Sequence, residues 1–383
     1  MRVRIALVVA AVLVLGACSS SSSSKSKSTS TTTSAASGTT AAGSATAIGH
    51  VFVINLENKD FDTTFGSGSK AVYLNQTLRP MGQLLDRYHG IGHNSLDNYI
   101  AQISGQSPNP STQADCATYT EFRSTGTGAD GQALGQGCVY PSSVKTVADQ
   151  LEGAHKTWKG YMEDMGNSST APKTCRHPQI GSTDDAFVAK PADMYATRHN
   201  PFVYFHSIID RPICSTNDVP LDRLPTDLAS EATTANLTYI TPNLCNDGHD
   251  APCANGQPGG LVSSDQFLAT WVPRILASPA YKHDGMLIVT FDEAESSGSD
   301  ADASACCNTP PSPNTPMPGL SGPGGGRIGA VVVSPKTKPG TTNSTPYNHY
   351  ALLCSIEDLF GLPHLGFAGA PGLQCFGKDV FDA

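Results

Sequence analysis

Val51-Phe52-Val53-Ile54-Asn55-Leu56-Glu57-Asn58 is the stretch on which the fold reading turns. It runs apolar with one internal asparagine, shows no polar alternation, and stops at a carboxylate followed by a carboxamide. Such a run suits a strand buried on both faces, as in a parallel sheet covered by helices. The signature returns at Met286-Leu287-Ile288-Val289-Thr290-Phe291, which stops at Asp292-Glu293. Ile328 to Val333 is a third run. Leu237 to Ile240 is a weaker fourth, opening onto Thr241-Pro242-Asn243-Leu244-Cys245-Asn246-Asp247-Gly248-His249-Asp250. Between the runs, Phe267, Leu268, Trp271, Val272 and Ile275 keep a 3.6-residue rhythm over 264–276. Shorter helical patterns fall at 144–151 and 350–360. Alternating strands and helices predict an α/β fold, a mostly parallel central sheet with helices on both faces. The Gly/Pro/Asn/Ser-rich stretches 105–142 and 296–326 read as loop insertions pinned by disulfides.

Composition agrees. The chain has 383 residues, with 37 Gly, 27 Pro and only 15% charged residues, which fits one large loop-rich domain and excludes a coiled coil or solenoid. A net charge of −9 without a long basic run excludes binding to nucleic acid through phosphate electrostatics. A monomer is expected.

The first residues differ from the rest. Arg2 and Arg4 precede the apolar run Ile5 to Leu15, and Leu15-Gly16-Ala17-Cys18 follows the pattern of a bacterial lipobox. Residues 1–17 are thus expected to be a lipoprotein signal peptide and Cys18 a lipidated thiol. The Ser/Thr/Ala/Gly-rich segment to residue 47 is expected to be a disordered tether, and 48–383 the folded domain. The expected location is the outer face of the cell membrane, or outside the cell. Losing Arg2 and Arg4 makes the mature chain two charges more negative. Setting Cys18 aside leaves an even ten of the 11 cysteines, the usage of an oxidising compartment. Local pairs Cys116–Cys138, Cys245–Cys253 and Cys354–Cys375 are expected. Adjacent Cys306 and Cys307 fit no simple scheme.

Ligands of open α/β sheets bind beyond the carboxyl ends of the strands. Three strand ends here carry Glu57-Asn58, Asp292-Glu293, and Asp247 with His249. One acidic pair after a strand is ordinarily a loop residue or a cap. Three together gather carboxylates that repel one another, which a divalent metal ion would relieve. A further set is His93-Asn94-Ser95-Leu96-Asp97-Asn98-Tyr99. Leu96, Tyr99, Ile100 and Ile103 mark a short amphipathic helix that Gly105 ends. Ser95 then lies at a helix N-terminus, where free N–H groups favour a phosphate. It either caps that helix or, beside a metal, acts as a nucleophile.

These segments resemble the bacterial phosphoesterase family that holds phospholipases C and secreted acid phosphatases, within the alkaline-phosphatase-like superfamily. The resemblance rests on 51–58 with Phe61-Asp62 and Phe65-Gly66, the 93–99 segment with Ser104-Gly105, Trp158 to Met165, Pro242 to Asp250, Val289 to Glu293, and His349-Tyr350 with 356–362. The closest-looking members include exported actinobacterial phosphatases acting on phosphoinositides. Asp97 departs from the pattern, where many relatives carry proline. The resemblance implies one or two divalent metal ions held by Glu57, Asn58, Asp292, Glu293 and Asp247. It implies Ser95 as nucleophile through a phosphoserine, with His93 orienting the site or protonating the leaving group. Asn98, His249 and His349 would hold a phosphate-ester substrate. Serine rather than threonine at 95 favours a phosphomonoesterase over a phospholipase C-type phosphodiesterase. The third reading, a non-catalytic surface-binding lipoprotein, would go with a broken carboxylate set.

Mass spectrometry of the mature N-terminus is expected to find a diacylglyceryl-modified Cys18. A free amine at another residue would overturn the lipobox reading.

Overall fold

The computed structural model describes residues 47–381. The signal segment, Cys18 and the tether as far as residue 46 lie outside the described residues. Eight strands form the main sheet: β1 (His50–Leu56), β2 (Gln83–Leu85), β3 (Trp158–Met162), β4 (Asp218–Pro220), β5 (Leu237–Thr241), β6 (Gly285–Phe291), β7 (Ala330–Val333) and β8 (Thr341–Asn343). Their spatial order is β8-β2-β7-β6-β1-β5-β3-β4. The two runs that end in acidic pairs, β1 and β6, and the weaker run β5 fall in the middle, where β6, β1 and β5 lie side by side, parallel, and buried along their whole length.

One strand departs from the expected direction. β7 pairs antiparallel with both β6 and β2, while the other pairings of this sheet are parallel. An apolar run reports burial on two faces, and that burial is indifferent to strand direction.

Helices cover both faces. Successive residues of a strand point to opposite sides. Phe52 meets Tyr281 of the helix Pro279–Asp284, with ring centroids 6.3 Å apart. Asn55 and Tyr239 point the other way, and both bond to Gln102 of helix α1 (Ser95–Ser104). Helix α2 (Val147–Gly153) opens with a capping box of Thr146 and Asp149. Helix α3 (Gly260–Ala277) fulfils the 3.6-residue rhythm, and α4 (His349–Phe360) is capped by Asn348. Helix α1 ends where Gly105 turns left-handed at φ 66°; a Cβ there would stand 2.1 Å from the Leu365 carbonyl oxygen.

The three expected disulfides are present, together with Cys175–Cys214 and the adjacent pair Cys306–Cys307. The 105–142 insertion carries a small hairpin of Arg123–Thr127 and Ala133–Gln136. The 296–326 insertion has no helix or strand.

At the sheet edge, Asp218 of β4 is fully buried. It accepts one side-chain bond, from Asn200 Nδ2 at 2.9 Å, and its other oxygen has no partner. Burial pushes its carboxyl up to about 7. The folded protein therefore keeps a proton that the unfolded chain releases from 3.8 upward, so stability falls as pH rises from there to about 7. Asp218→Asn removes this dependence. In denaturant melts it is expected to exceed the native chain by up to about 4 kcal/mol at pH 8 and by little near pH 4. Equal differences at both pH values would refute the assignment.

Candidate active site

Because β6, β1 and β5 are adjacent and parallel, their carboxyl ends open on one edge of the sheet. Glu57 and Asn58 leave β1, Asp292 and Glu293 leave β6, and Asp247 lies on the turn after β5. The edges are stitched together, with Glu57 N donating to Asp247 O at 2.9 Å and Asp292 N to Leu56 O at 2.8 Å. Asn58 turns at φ 48°, a left-handed conformation asparagine tolerates. Its N–H then donates to Asp292 Oδ1 at 3.0 Å. Gly248, at φ 107°, lets the Asp247 turn lie against β1, since a Cβ there would stand 3.2 Å from the Glu57 carbonyl oxygen.

Glu57, Asp247, Asp292 and Glu293 expose 3% or less of their surface. Burial raises all four, and neighbouring carboxylates add to it for Glu57, Asp247 and Glu293. Glu57 is raised well above the ordinary range by burial, then by Asp292 and Asp247, and Glu293 by burial and then Asp292. Burial raises Asp247 strongly and Asp292 to about 6. Two hydroxyls donate to Glu57. Ser95 Oγ reaches Oε2 at 2.9 Å and Tyr99 Oη reaches Oε1. Helix α1 thus presents its first residue to the carboxylates.

His199 completes the cluster. Its Nδ1 lies 3.1 Å from Asp247 Oδ2, and its ring stacks on Tyr99 at 5.3 Å. With Nδ1–H donating to Asp247, Nε2 turns a lone pair toward Glu57 Oε2, 3.5 Å away, and bonds to nothing. Burial, then Arg198 and His249, hold this imidazole well below its usual range, hence neutral. Asp292 Oδ2 also lacks a partner among the described residues. The outer atom of the Asn58 amide sits 3.2 Å from both Asp292 Oδ1 and Glu57 Oε2. Turned as NH2 it donates to both; turned as oxygen it makes three oxygens converge, a geometry that a cation stabilises. An imidazole lone pair and several convergent oxygens form a donor set for a divalent ion. Ligand atoms of Glu57, His199 and Asp247 lie within 4.8 Å of one another. Two other clusters of potential ligands, Cys354–Asp358–His364–Cys375 and Cys175–Cys214–Asp218, have their sulfurs tied in disulfides, which removes the thiolates.

The remaining expected residues stand in a ring around this centre. Asn98 accepts the N–H groups of Ile91 and Gly92 at 2.7 and 3.1 Å, and donates to Glu293 Oε2 at 3.2 Å. His93 is buried, its Nε2 3.1 Å from the Asp302 carbonyl oxygen and its Nδ1 3.0 Å from Glu293 Oε2. His249 lies at the mouth, bonded to Asp250 Oδ1 at 2.8 Å and Arg198 Nη2 at 3.2 Å. His349 is not brought into the cluster. Its Nε2 sits 2.6 Å from the Asp292 carbonyl oxygen and its Nδ1 is held by Tyr88 and Gln102, behind the carboxylates. Burial pushes it down to about 4. Asp97 is buried at the third position of α1, with neither carboxylate oxygen bonded.

Sequence reasoning missed His199, Arg198, Tyr99 and Asp115. Asp115 accepts Leu96 N at 3.0 Å at the start of α1. Arg198 and His199 sit on a single 3-10 turn, Thr197–His199, that follows no apolar run. The available signal was the pairing of arginine and histidine next to Asn200-Pro201, which by itself marks only a turn.

Adding Mn2+ or Mg2+ is expected to raise the melting temperature of the native chain. At a hundredfold excess over Kd the gain is about 2.7 kcal/mol. Glu57→Gln and Asp247→Asn are expected to lose most of it. No shift with any of Mn2+, Mg2+, Ca2+ or Zn2+ would refute a cation site.

A phosphate-repressible acid phosphatase of Penicillium chrysogenum is 27% identical over 314 residues, covering 81% of this chain and 58% of that protein. The chain spans between 56% and 59% of the length of the four fungal acid phosphatases it matches. A phosphatidylinositol-3-phosphatase of Mycobacterium tuberculosis is 24% identical over 332 residues, covering 86% of this chain and 82% of that one. Among solved structures, an alkaline phosphatase superfamily protein of Vibrio parahaemolyticus superposes with a TM-score of 0.44 at 12% identity, covering 83% of this chain and 67% of the other. The Phosphoesterase family profile matches residues 69–363, a span that holds Ser95, His199, Asp247, Asp292 and the strands β2 to β8, and on that match the chain belongs to the Phosphoesterase family.

Proposed function

We propose that the chain hydrolyses phosphate monoesters within the alkaline-phosphatase-like superfamily, with Ser95 as nucleophile. The observation that carries this reading is the 2.9 Å hydrogen bond from Ser95 Oγ to Glu57 Oε2, made at the first residue of a helix and inside a buried carboxylate cluster. Glu57, Asn58, Asp247, Asp292 and His199 would hold a divalent ion, which when bound offsets phosphoryl charge and lowers the hydroxyl pKa. Ser95 then has both a proton acceptor in Glu57 and the orientation to attack phosphorus. The ester's alcohol departs with a proton, leaving a phosphoserine. Water cleaves that ester in a second step, returning orthophosphate and the hydroxyl.

Each surrounding residue has a positioning task in this scheme. Glu293 accepts from Asn98, whose amide oxygen in turn holds the Ile91 and Gly92 N–H groups against the strand end. Asn98 keeps its amide at the same edge. His349 braces the Asp292 main chain. The fungal relatives support an acid-side monoesterase, and the mycobacterial one brings phosphoinositide headgroups among the substrates to be tried. Export with a lipid anchor at Cys18 belongs to the same proposal, since it would set the domain against phosphate esters outside the cell.

Purified protein assayed with 4-nitrophenyl phosphate and with its choline diester tests the reading. Monoester turnover is expected, abolished by chelator and lowered at least about 10³-fold in Ser95→Ala. Diester turnover without monoester turnover would replace the proposal with a phospholipase C-type activity. Full activity in Ser95→Ala would remove the nucleophile.

A further inference from the structure

Arg198 and His199 are neighbours in the chain and face different spaces. His199 points into the carboxylate cluster. Arg198 lines a pocket of about 610 Å³ together with His249 and Asp115. The Arg198 side chain is nearly buried, 4% exposed, yet among the described residues no carboxylate lies within hydrogen-bond reach of it. The carboxylate facing it, Asp115 Oδ2, stands 3.7 Å from Nε, beyond hydrogen-bond reach. Nη1 is fixed on the Phe187 carbonyl oxygen at 2.8 Å, and the group lies 5.0 Å over the Phe187 ring. Nη2 reaches only His249 Nε2, at 3.2 Å.

A nearly buried cation whose facing carboxylate stands beyond hydrogen-bond reach keeps donors free for a second anion. Two further facts place that anion. Asp115 also accepts Leu96 N, so the groove between Arg198 and the start of α1 is spanned by one carboxylate, next to Ser95. Arg198 bonds to His249, whose N–H donates to Asp247 Oδ1 at 2.8 Å, and its chain neighbour His199 lies 3.1 Å from Asp247 Oδ2, which sets the guanidinium beside the cluster. Guanidinium suits phosphate because its planar fork matches two oxygens at once. Asp250 also lines the pocket, its Oδ1 tied to His249 Nδ1 at 2.8 Å, and the remaining wall is apolar, with Phe187, Leu244, Pro252 and Val188, which is 72% exposed at the rim.

Resting on the hydrolytic reading above, we propose that this pocket is the substrate subsite, in which Arg198 grips the phosphoryl oxygens while the Phe187–Val188 wall takes an apolar alcohol. The substrate class is a phosphate monoester whose leaving alcohol carries an aryl or alkyl group beside the ester oxygen. Small polyol phosphates leave that wall bare, and they fit less well.

Kinetics with 4-nitrophenyl phosphate and glycerol 2-phosphate, inhibition by orthophosphate, and calorimetric titration of orthophosphate test it, each on the divalent-loaded protein. Arg198→Met is expected to raise the orthophosphate Ki and Kd about ten- to a hundredfold. It should lower kcat/KM for both esters by on the order of 10²-fold, with Arg198→Lys between the two. Val188→Asp is expected to lower the preference for the aryl ester severalfold. If Arg198→Met melts below the assay temperature, Arg198→Lys carries the comparison. Native-like orthophosphate affinity in the Arg198 variants would overturn the subsite, as would equal kcat/KM for the two esters in the native chain. If the native chain hydrolyses neither ester but binds orthophosphate through Arg198, the hydrolytic reading fails while the anion subsite stands.

Discussion

Four carboxylates share one dry edge of the sheet, and the rest of the architecture answers to that constraint. Isolated ionised groups at such burial would cost several kcal/mol each. The structure meets the cost locally. Tyr99 and Ser95 donate to Glu57, His199 and the His249 N–H donate to Asp247, and the Asn58 N–H donates to Asp292. What the donors leave over appears as carboxyl groups raised above their ordinary range. A folded core gains nothing from this cluster, and apolar side chains would be more stable there. Such local conflict is the mark of a site kept for chemistry.

The insertions make sense in the same terms. Strand ends deliver carboxylates but cannot wall a cavity. Asp115 comes from the 105–142 insertion, beside Cys116, whose disulfide to Cys138 closes that loop. Asp302 and Pro318 come from the 296–326 insertion, and their carbonyls accept from the His93 ring and the His93 N–H. The Cys245–Cys253 bridge closes the turn that carries Asp247 and His249. Long loops thus reach the site at fixed points, and each fixed point lies close to a covalent or hydrogen-bonded tie.

Much of this was legible in the sequence, and the limits have physical causes. β1, β6 and, more weakly, β5 were readable because burial on both faces writes a mostly apolar run without polar alternation, and the residues after them were readable because a parallel sheet gathers its strand ends. Helix α1 was readable from Leu96, Tyr99, Ile100 and Ile103. By contrast β2, β4 and β8 are three residues long, too short for a period to show. β3 holds Lys159 and Gly160 within it. His199 and Arg198 lie on an irregular segment whose position is set by tertiary contacts, the stacking of His199 on Tyr99 above all. No local pattern encodes such a contact. The direction of β7 was hidden for a similar reason, since hydrogen bonding rather than composition distinguishes the two pairings.

The raised carboxyls and the proposed cation compete for the same oxygens. A proton on Glu57 satisfies the cluster as a divalent ion would, but it removes the acceptor that Ser95 needs. Cation binding therefore releases protons, and acidity weakens it. His199 escapes this competition, because its burial beside Arg198 and His249 keeps the imidazole neutral well into the acid range. A neutral nitrogen among carboxylates gives the site one ligand that protons do not easily take. Arg198 adds a fixed positive charge that lowers Asp247 from the other side. Together the adjacent pair lets a crowded acidic edge stay ready to bind a cation at pH values where carboxylates alone would close up on protons.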